Sequence, residues 1–189
     1  MTELERAAHH FRTITHHKLM VMDLCFKIGM VRQGLQHDLS KYMPEEFLIG
    51  VRYWCGTRSP NALEREDRGY SSAWLHHKGR NKHHYEYWCD VKPGSDSWTY
   101  IKMPLRYVLE MMCDRIAASK TYHGGDYRDW MPLEFYSARN EGVRMHPETR
   151  LLLEKLLRML RDEGEFHTLA YMRWLWKHPQ VYEGGQFLG

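Results

Sequence analysis

The stretch that decides the fold runs from Glu3 to Ile28, ELERAAHHFRTITHHKLMVMDLCFKI. Its apolar positions Leu4, Ala7, Ala8, Phe11, Ile14, Val21, Cys25 and Ile28 recur mostly at steps of three and four, and Gly29 follows as a C-terminal stop. One long amphipathic helix is expected here. His17 falls three residues after Ile14 and four before Val21, on the apolar stripe, whereas the helical repeat turns His16 about 100° away. An inward histidine taken alone is most often satisfied by a backbone carbonyl, so His17 acquires meaning only from its company.

Working outward, helical signals continue. A second helix is expected from Pro44 through Phe47, Leu48, Val51 and Trp54 to a stop at Gly56. The polar stretch Thr57 to Tyr70, TRSPNALEREDRGY, reads as a loop with room for one helical turn. Ser71 or Ser72 can cap a helix carrying Ala73 to His77, which Gly79 is expected to interrupt before a second piece from about Lys82 to Trp88. After a loop at Pro93-Gly94-Ser95, Pro104 opens a helix with Leu105, Val108, Leu109, Met112 and Ile116 as its apolar stripe, ending before Gly124-Gly125. Pro132 and Pro147 start two more, the latter stopping at Gly164, and Glu165 to Lys177 forms a last aromatic helix. No segment alternates as a sheet strand would. The expected fold is all-α, one helical bundle over residues 1–189, with a site-bearing core at about 11–122 and C-terminal helices at about 132–178 packed on it.

Composition bounds the function. The 189 residues are 43% hydrophobic, with seven Trp and twelve Tyr, enough to build a core and to exclude a disordered chain. A net charge of +3 argues against a polycationic nucleic-acid coat. Cys25, Cys55, Cys89 and Cys113 form no C-x-x-C pair, and they are expected to be reduced in a cytoplasmic protein. The opening MTELERAAHHFR mixes charges and histidines where a secretory signal needs an apolar run, and no 18-residue apolar stretch follows, so membrane insertion is not expected. Thirteen histidines stand apart, because imidazole both titrates near neutrality and binds transition metals.

Several polar residues sit where helices should turn inward. His37 and Asp38 are adjacent, and an imidazole and a carboxylate there can ligate one cation. HHKGRNKHHYEYW supplies His76, His77, His83 and His84, with His77 and His84 preferred because i to i+7 spacing aligns them on a helix. Asp114 lies among Met111, Met112, Cys113, Ile116, Ala117 and Ala118, where a buried carboxylate needs a cation or a metal, and Glu110 one turn earlier can support it.

The order His17, His37-Asp38, the 77 to 84 histidines and Asp114 resembles the HD superfamily of metal-dependent phosphohydrolases. That resemblance implies one divalent ion on His17, His37, Asp38 and Asp114, and a second on intermediate histidines, here His77 and His84. HDLSK also resembles the HD-x-x-K form, which implies that Lys41 faces substrate phosphate beside a catalytic Asp38. The spacing inside WLHHKGRNKHH departs from the better-known HD phosphodiesterases. More closely, HHKLMVM, GLQHDLSKYMPEEF, RSPNALERE, GYSSAWLHHKGRNKHHYEYW, MPLRYVLEMMCDRIAASK and HPETR resemble an uncharacterised bacterial and phage domain-of-unknown-function family, over most of Thr13 to Arg150.

The expected function is hydrolysis of a small phosphorylated substrate, with nucleotides as one class, using one or two ions of Mn²⁺, Fe²⁺ or Co²⁺ in preference to Zn²⁺ or Mg²⁺. Lys41, Lys78, Arg80 and Asn81 are the expected substrate contacts, with Glu86 and Glu110 supporting the ligands. Two rivals stand beside it. The same ligand order serves a non-haem diiron oxygenase of the inositol-oxygenase type, and HHKGRNKHH with Tyr85, Tyr87 and Trp88 could instead be the surface of a non-enzymatic module binding protein or single-stranded nucleic acid. The sequence leaves oligomeric state open.

Overall fold

The structure, a computed structural model, describes residues 1–184; residues 185–189 of the expected domain lie outside the described part. Helix α1 (Glu3–Lys27) begins with a capping box, in which the Thr2 hydroxyl accepts from the Glu5 N–H and the Glu5 carboxylate accepts from the Thr2 N–H. Short α2 (Val31–Gln36) leads into the His37-Asp38 turn, followed by α3 (Pro44–Arg52), α4 (Pro60–Arg68) and α5 (Ser72–Arg80). A hairpin of β1 (Cys89–Val91) and β2 (Trp98–Tyr100) precedes α6 (Leu105–His123), α7 (Met131–Ala138), α8 (Pro147–Lys177) and α9 (Gln180–Glu183).

The core forms where α6 packs between α1 and α8. Val21, Leu24 and Ile28 meet Leu105, Val108, Leu109, Met112 and Ile116, and α8 adds Leu152, Leu153, Leu156, Leu157 and Leu160. Each fully buried leucine contributes about 1.5–3 kcal/mol of transfer free energy, so this seam fixes α1 against α6 and with it any groups that both helices present. The described residues are all-α apart from the hairpin. The expected stop at Gly164 is a break inside α8, where φ 82° and ψ 172° are open to glycine.

Three local expectations are corrected. Residues 60–68 are helical, because Pro60 starts the turn, Gly69 closes it at φ 79°, and the buried Glu64 carboxylate accepts from the Ser71 and Ser72 hydroxyls, tying α4 to α5. Helix α5 runs through Gly79 and ends at Asn81, whose extended backbone turns the chain, so the expected helix at Lys82 to Trp88 is replaced by a single tight turn at Tyr85–Trp88. The sheet missing from the sequence reading is the hairpin, pairing Cys89 with Tyr100 and turning through Gly94 at φ 75°. Its three-residue strands are too short to show an alternating pattern. All four cysteines are free, and among the described residues no helix is long and apolar enough to cross a membrane.

Candidate metal centre

Each element delivers its groups for a local reason. On α1, His17 is buried on the stripe of Ile14 and Val21 while His16 is exposed. The next residue, Lys18, reaches across to donate to the backbone carbonyls of Leu35 (2.9 Å) and His37 (2.7 Å), holding the turn that carries the HD pair. Asp38 adopts φ 52°, ψ 27°, a left-handed conformation that aspartate tolerates better than most residues but that still stores strain at a site. From α6 come Glu110 and Asp114, one turn apart.

These residues converge. His17 Nε2 lies 3.0 Å from Asp114 Oδ1 and 3.9 Å from Asp38 Oδ2, and His37 Nε2 lies 3.3 Å from Asp38 Oδ2 and 3.7 Å from Asp114 Oδ1. On its other oxygen, Asp38 Oδ1 is 3.4 Å from both His77 Nε2 and His83 Nε2. Two groups of donors result, His17, His37, Asp38 and Asp114 on one side and Asp38, His77, His83 and His84 on the other, each within a span of 4.8 Å. Opposite ligands of one ion, with bonds of about 2.0–2.2 Å, stand about 4 Å apart, so each group has the dimensions of a coordination sphere. Asp38 faces both.

Carboxylates behind the imidazoles aim them. Glu110 Oε1 lies 3.0 Å from His37 Nδ1 and 3.2 Å from His83 Nδ1, while its Oε2 accepts from Gln33 at 3.0 Å. Glu46 does the same on the other flank, with Oε1 at 2.6 Å from His76 Nδ1 and Oε2 at 2.7 Å from His77 Nδ1. A carboxylate on Nδ1 leaves Nε2 free for a metal and fixes the ring. The consequence is visible in unsatisfied atoms: Nε2 of His17, His37, His83 and His84 and both oxygens of Asp38 are buried with no hydrogen-bond partner. Lys41 Nζ does come within 2.6 Å of Asp38 Oδ2 as an ion pair.

The charges are interdependent. Burial alone would push Asp38 up, but His37, Lys41 and His77 hold it well below the usual carboxylate range. Burial likewise opposes ionisation of Asp114, and His17 and His37 overcome it. Burial disfavours a charged His37, yet Asp38, Glu110 and Asp114 outweigh it and raise that imidazole to about 10. His17 and His84 go the other way: burial keeps both neutral, reinforced by Lys41 at His17 and by the neighbouring His83 and His77 at His84. Asp114 and Lys41 retain 17% and 26% side-chain exposure, so solvent reaches the centre from their side.

Of the residues expected from sequence, His17, His37, Asp38, Lys41, His77, His84, Glu110 and Asp114 gather here. His83, set aside in favour of His84, is as deeply placed and touches both Asp38 and Glu110. Asn81 supports the centre: its side-chain amide donates to the Ser40 hydroxyl at 2.7 Å and to the His77 carbonyl at 2.8 Å. Lys78, Arg80 and Glu86 lie apart. Helix α5 leaves Arg80 exposed, donating to His76 Nε2 at 2.7 Å; Glu86 is half-buried, within electrostatic reach of Glu141, Arg115 and Lys78. Glu46 escaped the sequence reading because acids after Pro44 look like ordinary first-turn residues of a helix. Its one sequence signal is that His76 and His77, if inward, need a carboxylate partner.

The helical architecture and the centre define a buried histidine and carboxylate cluster inside an α-helical bundle. The chain belongs to a family of unknown function, DUF5662, whose model matches residues 6–159 and so includes every donor described above. No curated protein and no solved structure matches it.

Proposed function

We propose that this chain is a metal-dependent phosphohydrolase of the HD type, holding two divalent ions that share Asp38. The observation that carries the reading is the convergence of buried imidazole and carboxylate donor atoms into two groups that meet at Asp38, each spanning no more than 4.8 Å. Buried polar groups normally end in a hydrogen-bond network, and this many imidazole nitrogens facing two shared carboxylates fits a cation-binding centre better than a structural core. A divalent ion supplies Lewis acidity and acidifies its bound water toward neutral pH. Imidazole-rich donor sets suit Mn²⁺, Fe²⁺ or Co²⁺ better than Mg²⁺.

The chain's own residues do the rest. Asp38 and Asp114 carry the negative charge that the ions require, and Glu46 and Glu110 hold the imidazoles in register. Lys41, about a quarter exposed beside Asp38, meets the phosphoryl oxygens and offsets their charge as the water oxygen bonds to phosphorus and the ester P–O bond breaks. The attacking water gives one proton to solvent and the leaving alkoxide takes one from it, so the alcohol and inorganic phosphate are released with no net proton change. Lys41 also favours phosphoester chemistry over the oxygenase alternative, since a fixed cation at the open side suits an anionic substrate. Burial of His77 and His83 removes much of the surface that a binding module built on HHKGRNKHH would use.

The test is a screen of phosphomonoesters with Mn²⁺, Fe²⁺, Co²⁺ and Mg²⁺, run beside Asp38→Ala. Turnover that Asp38→Ala abolishes while its helical circular dichroism persists is the expected result. Oxygen consumption by the iron form without ester hydrolysis would move the assignment to an oxygenase.

A further inference from the structure

Beside the metal centre, on the Lys41 side, lies a cavity of about 80 Å³ walled by His10, Lys41, Ser59, Asn61 and Tyr122. Lys41 belongs to both, since its Nζ is 2.6 Å from Asp38 Oδ2. A substrate with its phosphate at Lys41 would have this space beside it for the remainder of the molecule. The volume is well below the roughly 300–1,000 Å³ of pockets that enclose drug-sized ligands, so that remainder is small.

His10 marks what it is made of. The side chain is 6% exposed, yet Nδ1 has no hydrogen-bond partner. The opposite edge of the ring packs on α3, where a Cβ at Gly50 would lie 2.1 Å from Nε2. Burial, with the Lys41 charge nearby, pulls the imidazole down to about 4, leaving it neutral at physiological pH. A neutral ring nitrogen calls for a neutral partner, and a hydroxyl serves either tautomer because it donates and accepts. Ser59, Asn61 and Tyr122 add further neutral hydrogen-bonding groups to the wall, and the Glu46 carboxylate, also in the wall, is already engaged by His76 and His77. Arg58, at the same cavity, is already engaged by the Glu66 carboxylate. Trp54 offers no free platform for a base, since it is stacked on His9 at 5.0 Å and its indole N–H donates to Thr13.

We propose that this cavity selects a small, hydroxyl-bearing phosphomonoester over a nucleotide, with His10 as the specificity-determining residue that reads a hydroxyl of the leaving group. The inference rests on the phosphohydrolase reading above.

The test uses the full chain loaded with Mn²⁺ and three esters: glycerol phosphate, adenosine monophosphate and p-nitrophenyl phosphate, the last having no hydroxyl on its leaving group. Wild type should favour glycerol phosphate over adenosine monophosphate by about tenfold or more in kcat/KM. His10→Leu should lower the ratio of kcat/KM for glycerol phosphate to that for p-nitrophenyl phosphate by about tenfold, the worth of one hydrogen bond, chiefly through KM. His10→Asn, whose amide can reach the Nδ1 position, should recover most of it. A preference for adenosine monophosphate, or an unchanged ratio in folded His10→Leu, overturns the proposal while leaving phosphohydrolysis standing. If His10→Leu does not fold, the wild-type ester order and His10→Asn decide. Failure of the metal-loaded protein to hydrolyse any of the three esters overturns the parent reading and this one with it.

Discussion

Glu46 Oε2 stands 2.7 Å from His77 Nδ1, and the same carboxylate reaches His76 Nδ1 through its other oxygen. Burial raises the Glu46 carboxyl, but hydrogen bonds from His77, Ser40 and His76 more than offset it and keep the group ionised. Helix α3 thereby orients a donor that sits on α5. Glu46→Gln removes the charge while keeping an acceptor, and it should weaken binding of the ion on the His77 side by about 10- to 100-fold, the usual effect of losing such a partner. Titration of the apo variant with Mn²⁺ under chelator competition checks this; two unaltered affinities would contradict the orienting role.

Proton linkage gives a second outcome. In the metal-free protein His37 titrates near 10 instead of 6.5, so at pH 7.5 its Nε2 still carries the proton that a metal must replace. Binding to the His17 side should release about one proton from His37, and affinity should climb with pH up to about 10. Because that pKa is raised in the folded state, the cation's contribution to apo stability is complete below about 6.5 and is lost as pH rises toward 10. Calorimetry in buffers of differing ionisation enthalpy measures the proton count, and a count of zero at pH 7.5 would sink the assignment.

Lys41→Met separates substrate charge from metal charge. Metal stoichiometry should persist, whereas kcat/KM for phosphoesters should fall by about 10²- to 10³-fold, as for other preorganised groups facing a reacting oxyanion. Loss of the metal along with the activity would instead make Lys41 a structural counterion of Asp38.

Gly50→Ala tests the packing behind the cavity. The new Cβ would meet the His10 ring at 2.1 Å, and displacing a ring wedged against Phe47 should cost about 1–3 kcal/mol, partly offset by up to about 1 kcal/mol from the better helix propensity of alanine. A drop of several degrees in Tm is expected. An unchanged or higher Tm would show that His10 is free to move, and would weaken its role as a fixed reader of substrate.

The sequence made some of this centre readable and hid the rest for definite reasons. His17 was legible because a 25-residue helix with a regular stripe leaves little doubt which face is buried, and Asp114 because Met111, Met112, Cys113, Ile116, Ala117 and Ala118 surround it with Arg115 as the one adjacent charge. The choice between His83 and His84 was not, since it hung on helical phase continuing past Gly79. The helix in fact ends at Asn81, whose bonds to Ser40 and the His77 carbonyl are long-range or terminal features that periodicity cannot report. Past that turn the His83 and His84 rings lie 4.2 Å apart and both reach the second group of donors. Glu46 was invisible for a related reason: 30 residues separate it from His76, and only the packing of α3 on α5 brings them together.

The presence of two ions sharing Asp38 is the claim on which the rest depends, and metal analysis of the chain purified without a histidine tag and without chelator tests it most directly. Inductively coupled plasma mass spectrometry, after reconstitution with Mn²⁺ and desalting, should find close to two ions per chain in wild type. Asp38→Ala should lose both, while His83→Ala/His84→Ala should retain one. A wild-type protein that holds no ion, or an Asp38→Ala variant that holds as much as wild type, would contradict the shared metal centre.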